Sequence, residues 1–418
     1  MIEWLPWIFL AALALFGMGW LVARIDVKQM LIESRAMPQS YFKGLNFLLN
    51  EQQDKAIEAF IEVTKANPEA IELQFTLGSL FRRRGEVDRA IRMHQELSER
   101  SNTSAEHRAE ALLELARDYQ KAGLLDHAER ILLDLNAKPA GNHKQQAETL
   151  QLLLEIHVQE REWQKAIDVA ARLDTGSPVK AGDGTSKRTR EIAHYACELA
   201  VIAQREARSD DASRHLDGAL AANPRCVRAN MLRGDWFATA GKHQDAIVAW
   251  RKIEQQNPDY LGLVAEPMFA SFEAIGQSRE GLDVLRGWQQ QYPALDVLSA
   301  LFKATLDNGG AVAAYELVKD DLRRNPTLVG LDRLLEAQLL SAPEDRRADL
   351  QVLKNLVHSH AHGLAVYLCG QCGFKARHFF WQCPACSGWE TFPPRLTAEY
   401  DMSERHLAHA HVENAAAQ

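Results

Sequence analysis

A register of small residues that returns about every 34 positions constrains this chain more than any other feature. Ala56, Ala90, Ala128, Ala166, Ala212, Ala246, Gly281 and Ala314 follow one another mostly at steps of 33 to 38 residues, and Ala348 continues the series more weakly. Twelve residues before each lies a second position, small in Gly44, Gly78, Ala116, Ala200 and Gly234 and large in Leu154 and Phe269. Three residues further on, Phe47, Phe81, Tyr119, His157, Phe237 and Phe272 supply a ring or another large group. Asn67-Pro68, Asn223-Pro224, Asn257-Pro258, Pro293 and Asn325-Pro326 close many of the units. Each period therefore predicts one helix-turn-helix hairpin. Small residues let the paired helices approach, the ring fills the remaining gap, and proline stops the second helix. One hairpin cannot bury its apolar face alone, so neighbours stack into an all-α solenoid whose concave surface is lined by the first helix of each pair. Ala, Leu and Phe at helical spacing are core residues, which build a scaffold and perform no chemistry.

In one register, the small, aromatic and proline positions resemble tetratricopeptide repeats, which implies a superhelix that binds peptides or partner domains. Two groups of hairpins are expected, 37–173 and 191–360, separated by a flexible insertion, Asp174 to Arg190, that is rich in Gly, Ser and Pro and poor in apolar residues. A longer turn is expected around Ser98 to His107. Arg82, Arg117 and Asp235, at first-helix positions expected to point inward, are the candidate partner-binding residues. The competing reading for each is ordinary solvated charge.

From Trp4 to Ala23 the chain runs 20 residues without a charge, enough for a helix rising about 1.5 Å per residue to cross a hydrocarbon core roughly 30 Å thick. Trp4 and Trp7 mark one interface and Trp20 the other. A cleaved signal peptide is the rival, but Glu3 replaces a basic leader and Trp20 to Arg24 offers no small-x-small cleavage site. Arg24, Lys28 and Arg35 lie on the C-terminal flank, which directs the bulk of the chain to the cytoplasm. The expected order begins with an anchor at 1–24 and a juxtamembrane linker at 25–36.

Four of the six cysteines fall in Cys369-Gly370-Gln371-Cys372 and Cys383-Pro384-Ala385-Cys386. Two Cys-x-x-Cys knuckles at this separation direct four thiolates at one tetrahedral ion. Zinc is the first choice, while a rubredoxin-type iron site uses similar sulfur geometry. Four sulfurs close the coordination shell, which makes the site structural rather than hydrolytic. Gly373 and Gly388 are expected to ease the backbone after the knuckles. Phe374, Phe379, Phe380, Trp381 and Trp389 would supply a small apolar shell, with Lys375 and Arg377 offsetting thiolate charge. A small ribbon at 365–394 and a tail at 395–418 complete the expected order. Cys197 and Cys226 read as buried small hydrophobes.

Anchor, repeats and terminal knuckle, together with Cys369-x-x-Cys372-Gly373-Phe374, Trp381-x-Cys383-Pro384-x-Cys386 and Trp389-x-Thr391, resemble the lipopolysaccharide assembly protein B family of Gram-negative bacteria. The resemblance implies a single-pass inner-membrane protein facing the cytoplasm that regulates lipopolysaccharide synthesis without being an enzyme. It implies as partners the lipid A pathway deacetylase, a membrane-bound ATP-dependent metalloprotease, and other lipopolysaccharide synthesis or transport proteins. Of residue roles, it carries over only the four cysteines, Cys369, Cys372, Cys383 and Cys386, as metal ligands.

Two other classes compete. A rubredoxin-like electron carrier on a repeat scaffold would require iron. A nucleic-acid-binding ribbon is opposed by the net charge of -8 and the lack of a dense Lys/Arg block.

Overall fold

The computed structural model describes residues 39–66, 70–101, 103–138, 143–174, 186–292, 297–324, 326–364 and 367–392. The expected anchor at 4–23 and tail at 395–418 lie outside these residues, as does 175–185 of the expected insertion. Among the described residues, no helix is long and apolar enough to cross a membrane.

The chain divides into two compact units between Glu160 and Arg161. The first contains α1 (Gln39–Leu49), α2 (Gln53–Ala66), α3 (Ile71–Arg84), α4 (Val87–Glu99), α5 (Ala105–Ala122), α6 (Leu125–Ala137) and α7 (His143–Gln159). The second begins with α8 (Trp163–Asp174), α9 (Lys187–Arg205), α10 (Ser209–Ala222), α11 (Val227–Thr239) and α12 (His243–Gln256). A 3-10 turn at Pro258–Tyr260 leads into α13 (Leu261–Ala274) and α14 (Ser278–Gln291). Then come α15 (Leu298–Arg324), α16 (Leu328–Ser341), α17 (Glu344–Leu364), and two short strands, β1 (Tyr367–Leu368) and β2 (Lys375–Ala376).

The small-residue register sets the helix pairing. Ala56, Ala90, Ala128, Ala166, Ala212, Ala246 and Ala314 are all 0% exposed, and Gly281 is buried. Opposite them, a Cβ at Gly234 would overlap the Trp250 indole, and one at Gly78 would overlap the His94 ring. Large second-helix groups thus occupy the space that the first helix leaves open. Ala348 breaks the register and is exposed. Lys354 reaches Glu336 at 3.6 Å and His358 reaches Asp332 at 3.1 Å, so α17 turns a different face to α16. In α15 the two helices of a hairpin run together, joined at Gly310, whose φ of 78° reverses the chain in a conformation that side-chain-bearing residues rarely adopt.

Three boundaries differ from those expected. The turn before α5 spans only 100–104, because Ser104 caps the helix by accepting the His107 N–H at 3.2 Å. The C-terminal end of the expected insertion is helix: Ser186 accepts the Thr189 N–H at 3.0 Å and starts α9 at Lys187. The helix α8, expected to close the first group, packs on α9 and belongs to the second unit.

The core of the second unit gathers Ile247, Trp250 and Ile253 from α12 with Val264, Met268, Phe269 and Phe272 from α13 and Leu285 and Trp288 from α14. Phe379 and Trp381, beyond the last helix, pack onto the same cluster. Through these rings the C-terminal ribbon joins the core of the repeats.

Candidate metal centre and its seat

β1 and β2 pair antiparallel, Tyr367 with Ala376 and Leu368 with Lys375, around the turn that holds Cys369 and Cys372. A single bridge between Gln382 and Trp389 frames the second turn, with Cys383 and Cys386. The two knuckles repeat one geometry. Gly373 N–H donates to Cys369 O at 2.9 Å, and Ser387 N–H donates to Cys383 O at 2.8 Å. At the same positions the backbone is left-handed, with φ of 73° at Gly373 and 56° at Ser387. Ser387, not Gly388, therefore takes the turn conformation of the second knuckle. Gly388 is glycine for space, since a Cβ there would press on Gln371 Oε1, Thr391 Cγ2 and Cys386 Sγ.

The four sulfurs lie within 4.8 Å of one another. Cys369 Sγ is 3.8 Å from Cys386 Sγ, and Cys372 Sγ is 3.7 Å from Cys383 Sγ. Tetrahedral bonds of about 2.3 Å require sulfur separations of about 3.8 Å, so the donor set fits one ion. Burial pushes the Cys369 thiol up, but the Thr391 side chain and the Cys372 and Gln371 backbone outweigh it and bring the pKa to about 6. The Phe374 backbone favours the Cys372 thiolate, yet burial and the three neighbouring sulfurs push it up to about 12. Four thiolates this close need a cation among them, and with four sulfurs bound the ion has no position left for substrate or activated water.

The rings expected to shell the ribbon instead fasten it to the repeats. Trp389 lies flat on His194, with centroids 4.7 Å apart and planes 15° apart, and meets Trp163 and Tyr195 edge-on. Trp381 stacks on Tyr260 at 5.2 Å and 4°. The Arg228 guanidinium sits 5.9 Å from the Trp381 ring and 5.6 Å from the Trp389 ring, and Glu198 holds it at 2.7 Å. His194 Nε2 meets Glu390 at 3.0 Å. Burial lowers the His194 pKa, and the nearby Glu390 carboxylate opposes the shift. Phe374 and Phe380 face away, each 39% exposed, while Phe392, wholly buried, fills the ribbon's own core.

Arg82 and Arg117 lie in a ladder across the first helices of the first unit. Arg82 reaches Glu114 at 2.6 Å and Asp118 at 2.7 Å. Arg117 pairs with Glu114 and reaches Glu148 at 2.9 Å. Asp118 also meets His94 Nδ1 at 2.5 Å, and both side chains are fully buried. Asp235, on α11, is half-buried, and burial raises its carboxyl pKa. The structure brings the four cysteines together and leaves these three residues apart from them.

Sequence reasoning missed Trp163, His194, Arg228 and Tyr260. A signal for two of them lay in the register: His194 and Arg228 stand six residues before the small positions Ala200 and Gly234, a polar residue on the same face of successive first helices. The equivalent position in the first unit carries Glu72, Glu110 and Glu148.

The tetratricopeptide repeat family matches residues 43–101 and 197–260, and the family described as rubredoxin metal binding domain matches residues 367–394. The chain is similar to lipopolysaccharide assembly protein B of Escherichia coli (strain K12), 33% identical over 378 residues, which cover 90% of this chain and 94% of that protein. Its counterpart in Haemophilus influenzae is 30% identical over 393 residues, covering 92% and 96%. Among solved structures, MamA shares 21% identity over 43% of this chain and 94% of that one, with a TM-score of 0.25.

Proposed function

Because this chain belongs to the lipopolysaccharide assembly protein B family, we propose that it is a non-enzymatic adaptor regulating lipopolysaccharide synthesis from the cytoplasmic face of the inner membrane. In this reading, residues 1–24 anchor it and the repeats capture the lipid A pathway deacetylase. The assembly presents that client to a membrane-bound ATP-dependent metalloprotease, and other lipopolysaccharide synthesis or transport proteins share the scaffold. Arg82, Arg117 and Asp235 enter as charged contacts on the first-helix faces.

One observation carries the reading. The four-thiol centre has a closed donor set and is tied by Trp381 and Trp389 into the repeats, so a bound ion holds a protein surface in shape. Cys369, Cys372, Cys383 and Cys386 are its ligands, and zinc is the ion we assign. Elemental analysis of protein from its native host should return zinc. Iron with a reversible visible absorbance change on reduction would instead mark an electron carrier.

The functional test is the deacetylase level in cells whose only copy carries Cys369→Ser. Accumulation of the deacetylase is expected, since an unseated ribbon disables the adaptor. A normal level alongside a metal-free ribbon would overturn the proposal.

A further inference from the structure

We infer that the outer face of α17 pairs with the same face of a second copy of this chain in an antiparallel two-fold contact. α17 is 21 residues long. Its inner side is committed to α16 through Lys354 and His358. On the opposite side stand Val352, Leu353 and Leu356, 68%, 51% and 58% exposed. On α12, an interior second helix, the exposed apolar side chain Val248 stands singly among Arg251, Lys252 and Gln255, whereas α17 groups three. α17 is the last helix among the described residues, and a solenoid helix with no further neighbour needs a polar outer face, which α17 lacks at its centre.

The polar groups flanking this stripe identify the occupant. Asp345 and Asp349 precede it and His360 follows it on the same face. Antiparallel pairing centred between Lys354 and Asn355 sets Leu353 against the partner's Leu356 and Asp349 beside the partner's His360. Two-fold symmetry makes each contact twice. Antiparallel helices also bring each N-terminus beside the other's C-terminus, which their dipoles favour. A face that complements itself in both apolar and hydrogen-bonding positions, Asp349 opposite His360, fits a second copy better than an unrelated helix. A contact of two helices is small, at the low end of specific interfaces, and should be reversible.

The test is the mass of the full chain in detergent by light scattering at micromolar concentration. A two-chain mass is expected for the wild type, and a one-chain mass with unchanged helical circular dichroism for the double variant Leu353→Asp with Leu356→Asp. Asp349→Lys should weaken the dimer, and adding His360→Glu should restore it. A one-chain wild type would overturn the inference, leaving the face to a different partner. So would a double variant that keeps the two-chain mass, which would place self-association elsewhere.

Discussion

Arg82 shows how one residue can be read in two ways. Its guanidinium spans two carboxylates, one of them on the fully buried Asp118, and so joins α3 to α5. Removing it leaves Asp118 with His94 alone, and Arg82→Ala is expected to cost the first unit about 3 kcal/mol, measured by urea unfolding. Any loss of client binding in that variant must therefore be compared at equal folded fraction. The neighbouring acids respond to pH in opposite directions. For Glu114, burial raises the pKa, but Arg82 and Arg117 outweigh it and hold the carboxyl below its ordinary value. Its contribution to stability is thus present above the unfolded pKa and is lost as pH falls through the lower folded value. For Glu110, burial raises the pKa, and the nearby Glu114, Glu106 and Glu72 add to the rise against His107, so its ionised form disfavours folding. Glu114→Gln should lower stability at neutral pH and flatten the acid side of the pH profile, while Glu110→Gln should leave stability equal or higher. Thermal melts from about pH 3 to about pH 7, across the ordinary carboxylate range, check both expectations. A steeper acid limb in Glu114→Gln would contradict the ladder.

At the scale of elements, the ribbon and α9 to α13 form one structure. Trp250→Ala would empty the space opposite Gly234 and should destabilise the second unit by about 3–5 kcal/mol, seen as a lowered melting transition. Trp389→Ala removes the ring on His194 and should expose α9 and α11 to faster amide exchange around residues 194 and 228, leaving α3 to α6 unchanged. Unaltered exchange at α9 and α11 would mean that the ring does not hold the ribbon in place. The hairpins were legible in the sequence because close helix crossings demand small residues at fixed steps. The clustering of the four cysteines was legible because a tetrahedral ion demands two short knuckles. The seat was not, since its partners Trp163, His194, Arg228 and Tyr260 are brought to Trp381 and Trp389 only by stacking of hairpins. Pairings of that kind leave no local spacing to read. The insertion boundary was missed for a different reason: Ser186 ends a Gly-rich run and also caps a helix, and composition registers only the first role.

At the scale of the whole molecule, the proposed adaptor combines a repeat scaffold, a four-cysteine knuckle and a bilayer anchor. Under the proposed function the repeats would provide binding faces, an ion would keep the ribbon seated, and residues 1–24 would confine both to the membrane surface. The measurement that tests this most directly is crosslinking of the chain in intact cells followed by mass spectrometry, for the full sequence and for a form lacking residues 1–24. The account predicts crosslinks from the full chain to both the deacetylase and the membrane protease, with those to the protease lost in the shortened form. Crosslinks to neither protein, from a folded and metal-loaded full chain, would contradict it.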